Sequence, residues 1–159
     1  MIAVSAIMKS MANHFGKDPT LWEAVGMLHD VDYERTSDDS SRHGLLSATM
    51  VLDYLPEDGL KAIRAHNPMT GVVAESRMEV SLFAADAISG MVVAGALVRP
   101  TRLEGMKPKS LKRRMKDKSF ARNVSRENIL RCKELGLDLN TFLALSIEAM
   151  QSVSDEIGL

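Results

Sequence analysis

The stretch VSLFAADAISGMVVAGALV, residues 80–98, is apolar or small at almost every position and is broken by a single charge, Asp86. It can be read as a membrane span or as the central helix of a folded domain. A mid-helix Asp costs about 2.5–3.5 kcal/mol on insertion, and Ala, Gly and Ser offset little of that. A buried central helix is therefore expected, running from about Glu75 to Val98, with Pro100 as its stop. On its face Asp86 has Leu82, Phe83, Ser89, Gly90 and Val93 as neighbours. That pattern predicts a buried carboxylate, which needs a cation, a metal or hydrogen bonds to offset desolvation.

Outward from this helix the chain reads as a string of further helices. Val4, Ile7, Met8, Met11 and Phe15 recur at helical spacing up to Gly16, but no capping residue precedes Ile2. The helix reads as one that begins partway along, with residues expected upstream of Met1. Asp18 and Pro19 are start signals for a second helix, striped by Leu21, Val25 and Leu28 and reaching His29-Asp30. A polar loop from Asp32 to Arg42 follows, then a third helix from about His43 to Leu55 and a fourth from Pro56-Glu57 to near His66. Past Pro100 a short helix fits Ser110 to Met115 within a basic segment. Ser125 caps another helix to Glu134, closed by Gly136, and Asp138 caps the last. No alternating strand pattern or repeat occurs. The expectation is one all-α domain over residues 1–159, of seven or eight helices.

Composition agrees. Of the 159 residues, 45% are hydrophobic, 26% charged and only 4% aromatic, so Leu, Ile, Val, Ala and Met must build the core. A net charge of −1 calls for neither a nucleic-acid nor a membrane partner. The basic run from Lys107 to Lys118 reads as a solvated face, with attraction of anionic substrates as the alternative. The lone Cys132 forms no intrachain disulfide and reads as a packed thiol. With no basic, apolar leader, the expected compartment is the reducing cytoplasm. Eleven methionines are compatible with a homodimer, though Met fills cores equally well.

His29, Asp30, His43, His66 and Asp86 form a set of imidazoles and carboxylates spread over four predicted helices. Nitrogen and oxygen donors without thiolate suit a divalent ion such as Mn, Fe, Co, Ni, Zn or Mg rather than a structural zinc knot. His14, between Asn13 and Phe15, is expected to be exposed.

Four short motifs occur in order: Met27-Leu28-His29-Asp30, Arg42-His43-Gly44, Ala65-His66-Asn67 and Ala84 to Gly90 (AADAISG). With KSFARNVSRENI at 118–129 and Ile147-Glu148-Ala149-Met150, the series resembles the HD-domain metal-dependent phosphohydrolases over essentially the whole chain. The resemblance implies a helical fold and a divalent metal on His29, Asp30 and Asp86. It puts His43 and His66 where a second metal or the substrate phosphate is held. The family also uses a first-helix histidine, whose place falls just before Met1, and His14, about four turns further on, cannot replace it. The implied reaction is hydrolysis of a small phosphate ester, nucleotides included, by metal-activated water. Asp30 or Asp32 would take the proton, and Arg35, His43 and His66 would meet the phosphate charge. The alternative is a non-catalytic metal- or ligand-binding regulatory domain on the same fold.

Overall fold

A computed structural model describes all residues, 1–159, and contains only helices and turns. Nine α-helices follow one another: α1 (Ile2–Phe15), α2 (Pro19–Leu28), α3 (Leu45–Met50), α4 (Glu57–Ala65), α5 (Arg77–Leu97), α6 (Pro108–Met115), α7 (Arg126–Leu130), α8 (Leu139–Gln151) and α9 (Ser154–Ile157). Short 3-10 turns lie at Tyr33–Arg35, Ser40–Arg42, Pro68–Thr70 and Arg131–Leu135.

The long helix α5 is the axis of the fold, touching α1, α4, α6, α7 and α8. It is long and apolar enough to cross a membrane, yet 67% of its apolar stretch is buried within the fold itself. Leu82, Ala84, Ala85, Ile88, Met91, Val92 and Ala96 are all sealed in one continuous core with Ile7, Met8, Met11, Val25, Ile63, Phe142 and Leu143. A helix apolar on all sides is what a position at the centre of a bundle requires.

Local signals set most boundaries. The Asp18 carboxylate accepts hydrogen bonds from the N–H groups of Thr20 (2.9 Å) and Leu21 (3.4 Å), ahead of Pro19 at the first helical position. A capping box opens α5. The Glu79 carboxylate accepts from Ser76 N–H, while Ser76 Oγ accepts from Glu79 N–H.

Three boundaries differ from expectation. The third helix is only Leu45–Met50. His43 is held extended, and Leu52, Asp53 and Tyr54 face solvent with nothing apolar to pack on. The helix expected to reach Glu134 ends at Leu130 and tightens into a 3-10 turn. Such tightening is common at helix ends. A last single turn, α9, adds a helix beyond the seven or eight expected.

α1 and α2 approach each other closely at Gly26. A methyl group on Gly26 would fall 2.8 Å from Ser5 Cα and 3.0 Å from Ser5 N, which is backbone that cannot step aside. Ser5 Oγ also donates to the Glu23 carbonyl at 2.9 Å, tying the pair one turn earlier. Gly26 therefore sets the position of the α2 C-terminus, where His29 and Asp30 sit. Gly26→Ala is expected to destabilise the protein by about 1–3 kcal/mol, seen as a lower urea midpoint at unchanged m-value.

Glu79 links stability to pH. Burial pushes its carboxyl up, but the N–H groups of Glu75 and Ser76, the Ser76 hydroxyl and the Lys61 charge outweigh this and hold it below its ordinary 4.5. A depressed folded-state value means that the stabilisation is complete above the unfolded value and is lost as pH falls through the folded one. Urea melts of the wild type and Glu79→Gln should differ most above the ordinary value of 4.5 and converge as pH falls below it through the depressed folded value.

Candidate metal centre

His29 is the residue immediately after α2, and His66 the residue immediately after α4. The last carbonyls of a helix have no partner within it. Here each imidazole supplies one: His29 Nδ1–H donates to the Gly26 carbonyl at 2.9 Å, and His66 Nδ1–H to the Ile63 carbonyl at 2.5 Å. These bonds settle the tautomers and leave both Nε2 atoms as lone-pair donors pointing away from their helices.

The two Nε2 atoms and Asp30 Oδ1 lie within 4.8 Å of one another. Asp30 Oδ1 is the hub, 3.7 Å from His29 Nε2, 3.6 Å from His66 Nε2 and 3.1 Å from His43 Nε2. Asp86 Oδ1 approaches His29 Nε2 from α5 at 3.7 Å. The His29 side chain is 1% exposed, and its Nε2 is buried without any hydrogen-bond partner. An orphaned buried lone pair is costly unless something binds it. Facing two carboxylates and a second imidazole lone pair, it fits a divalent cation, with nitrogen and oxygen donors throughout.

The electrostatics agree. Burial pushes the Asp30 carboxyl up, but the hydrogen bond from His43 and the neighbouring His66 and His29 imidazoles outweigh it and hold Asp30 far below the usual carboxylate range. The Asp30 carboxylate raises His43 above the ordinary histidine value, with burial opposing and Asp32 assisting.

The predicted residues are thus brought together, with three changes. Asp86 is not buried. Its side chain is 53% exposed. Its partner requirement therefore comes from its place beside His29, not from desolvation. His66 stands with His29 and Asp30 in the central cluster rather than in an outer position.

Asp32 does not enter the cleft at all. Its side chain is fully buried; Oδ2 accepts from the N–H groups of Gly44 and Ser47, both at 2.8 Å, and Oδ1 from His43 Nδ1–H at 2.7 Å. With both oxygens engaged and no access to water, it orients His43 and cannot serve as the proton acceptor. Arg35 is exposed on the lip of a groove of about 480 Å³ shared with Asp30, Tyr33 and Met50. His14 lies outside on α1, exposed as expected.

Sequence reasoning passed over the residues that hold these groups in place. Asn67 Nδ2 donates to the carbonyls of Ser40 (2.7 Å) and His43 (2.9 Å), fastening the loop to the end of α4. Gly44 has φ +86°, and a Cβ there would meet the Ile63 carbonyl oxygen at 2.9 Å and the His66 ring at 3.1 Å. Only glycine allows both that backbone and that approach. The signal was available: Gly44 directly follows His43, and Asn67 directly follows His66.

Comparison with curated proteins and with solved structures returned no match. The family model described as HD domain matches residues 1–91, a span that contains His29, Asp30, His43, His66 and Asp86 and ends within α5. The chain therefore belongs to the HD-domain family, a superfamily of metal-dependent phosphohydrolases.

Proposed function

We propose that this protein hydrolyses a small phosphate ester, nucleotides included, with a divalent ion held by His29, Asp30, His66 and Asp86. The observation that carries this reading is the buried, unpartnered Nε2 of His29, set among two carboxylates and a second imidazole lone pair. Mn, Fe, Co, Ni, Zn and Mg all accept such donors, the softer ions favouring the imidazoles. A divalent ion here supplies a Lewis acid that offsets phosphate charge and makes water acidic enough to attack near neutral pH.

The remaining roles belong to the chain. Asp30 stays ionised throughout the physiological range and sets the negative field of the cleft. His43 is held between Asp30 and Asp32 and keeps a proton at Nε2, where it faces the donor cluster. It offers a positive charge to the phosphate and a proton to the leaving oxygen. Asp32 stabilises that imidazolium from behind, as a buried carboxylate does for a catalytic histidine. Arg35, on the lip of the groove, meets the incoming phosphate before it reaches Asp30. Protein in the cytoplasm would meet such substrates at high abundance.

Metal binding is the first test. After stripping with EDTA, titration calorimetry with Mn²⁺ or Ni²⁺ should show a site that His29→Ala removes. Asp32→Asn retains all four of these donors and should bind metal as the wild type does while turning over more slowly, because it loses the support behind His43.

The second test is turnover. Protein reloaded with Mn, Co, Ni or Mg should release phosphate from a panel of nucleotides and phosphate monoesters. His29→Ala and Asp30→Ala should each lower the rate by at least about 100-fold, while Arg35→Ala should act mainly on KM. Metal binding without release above the His29→Ala background would overturn the enzyme reading and leave a metal- or ligand-binding domain.

A further inference from the structure

Seven of the chain's 20 lysines and arginines fall between Lys107 and Lys118, with Asp117 the one acid among them. The rest of the chain carries 13 basic against 20 acidic residues. The near-neutral net charge therefore hides a strongly cationic segment on an acidic body. Within it, Lys109, Lys112, Arg113 and Lys116 stand at i, i+3, i+4 and i+7 of α6, one continuous face of the helix. The opposite face is anchored in the core by Leu111, whose Cδ1 lies 3.0 Å from where a Cβ on Gly95 of α5 would be.

This face works against its own helix. Like charges four apart destabilise a helix, as in the pairs Lys109–Arg113 and Lys112–Lys116. Lys107 and Lys109 also sit at the N-terminal end, where the helix dipole disfavours cations. Nothing in the molecule relieves this. None of the seven makes a salt bridge, and Lys112, bonded to Asn140 Oδ1 at 3.2 Å, is the only one whose side chain has a hydrogen bond. Lys107, Lys109, Ser110, Lys112, Arg113 and Lys116 line an open groove of about 520 Å³ that has no apolar and no acidic residue in its wall.

We propose that the α6 groove binds the phosphodiester backbone of a single-stranded nucleic acid. The charge is complementary to a polyanion, and with no carboxylate paired to it within the molecule it is available. From Lys109 to Lys116 the stripe runs roughly 10 Å, the length of about three nucleotide steps at 3.4 Å each. Two features favour a strand over an anionic membrane. A membrane-binding helix sets apolar side chains beside its basic ones, and this wall has none. The surface is also concave, which suits a strand better than a bilayer plane. With no aromatic residue in the wall there is no platform for stacking bases, so binding reads phosphates and is indifferent to sequence. The groove lies past Gly95, about 13 Å further along α5 than Asp86, and does not depend on the metal centre.

Fluorescence anisotropy of a labelled 12-nucleotide single-stranded RNA tests this, with the full chain kept in EDTA so that the metal centre takes no part. Micromolar binding is expected at 50 mM KCl. Five phosphate contacts should weaken it about 100-fold by 200 mM. Lys109→Glu/Lys112→Glu/Lys116→Glu and the milder Lys109→Gln/Lys112→Gln should each lose at least tenfold, with unchanged circular dichroism melts. The Lys→Arg triple at 109, 112 and 116, and Lys17→Glu/Lys133→Glu elsewhere, should bind as the wild type does. A 12-nucleotide DNA of the same sequence in parallel distinguishes the two sources of the backbone. Absence of salt-sensitive binding to either strand, binding that survives both charge-removing variants, or binding to phosphatidylserine vesicles or polyglutamate in its place would overturn the proposal.

Discussion

His29 and His66 each end a helix, and each gives its Nδ1–H to the carbonyl three residues earlier. Much of the site depends on this one arrangement. A helix C-terminus leaves carbonyls unpaired, and an imidazole placed there satisfies one while its own tautomer is decided. Its second nitrogen is then a lone pair by necessity. Two helices meeting end to end thus bring two committed donors to one place. No side chain has to be frozen by packing alone. The fold provides the meeting point: α2 is held against α1 by the glycine contact at Gly26, and α4 packs on both α2 and α5.

A second constraint holds the other wall. The buried carboxylate of Asp32 would be expensive without partners, and it is stabilised by two backbone N–H groups and His43. The loop after α2 is therefore no loose connection. Asp32 gathers Gly44 and Ser47 from one side, and Asn67 gathers Ser40 and His43 from the other. His43 is fixed in between, with Asp30 in front of it and Asp32 behind. Charged and polar groups that would each be unfavourable in isolation form a network in which each satisfies another.

The two halves of the chain differ in what they contribute. Residues 1–91, the span of the family match, contain every donor of the metal centre. Beyond Met91 the chain packs against α5 and α1, building the core with Leu103, Leu111, Ile129, Phe142 and Leu143. That half also presents the basic groove, so the two strongest electrostatic features of the molecule, one acid-lined and one cationic, lie at separate levels along one helix.

Helical periodicity, the absence of alternating strands and the boundary signals at Gly16, Asp18-Pro19 and Pro100 were enough to define an all-α domain and most of its boundaries. These are local properties, decided by backbone geometry within a few residues. The ordered His-Asp, His-Gly, His-Asn and Asp motifs likewise named the five side chains of the candidate site. Which groups face one another was not local. Asp86 was expected inside on the strength of its apolar neighbours but stands at the rim, because exposure depends on what covers a helix face and not on the face alone. Asp32 was expected from its place in the polar loop to be a candidate proton acceptor, yet it is sealed behind His43, because its partners Gly44 and Ser47 are 12 and 15 residues away. The donor inventory was thus a property of the sequence; its division into central cluster, rim and support arose only when the ends of α2 and α4 were brought against α5, since distance and burial are set by packing between segments far apart in the chain.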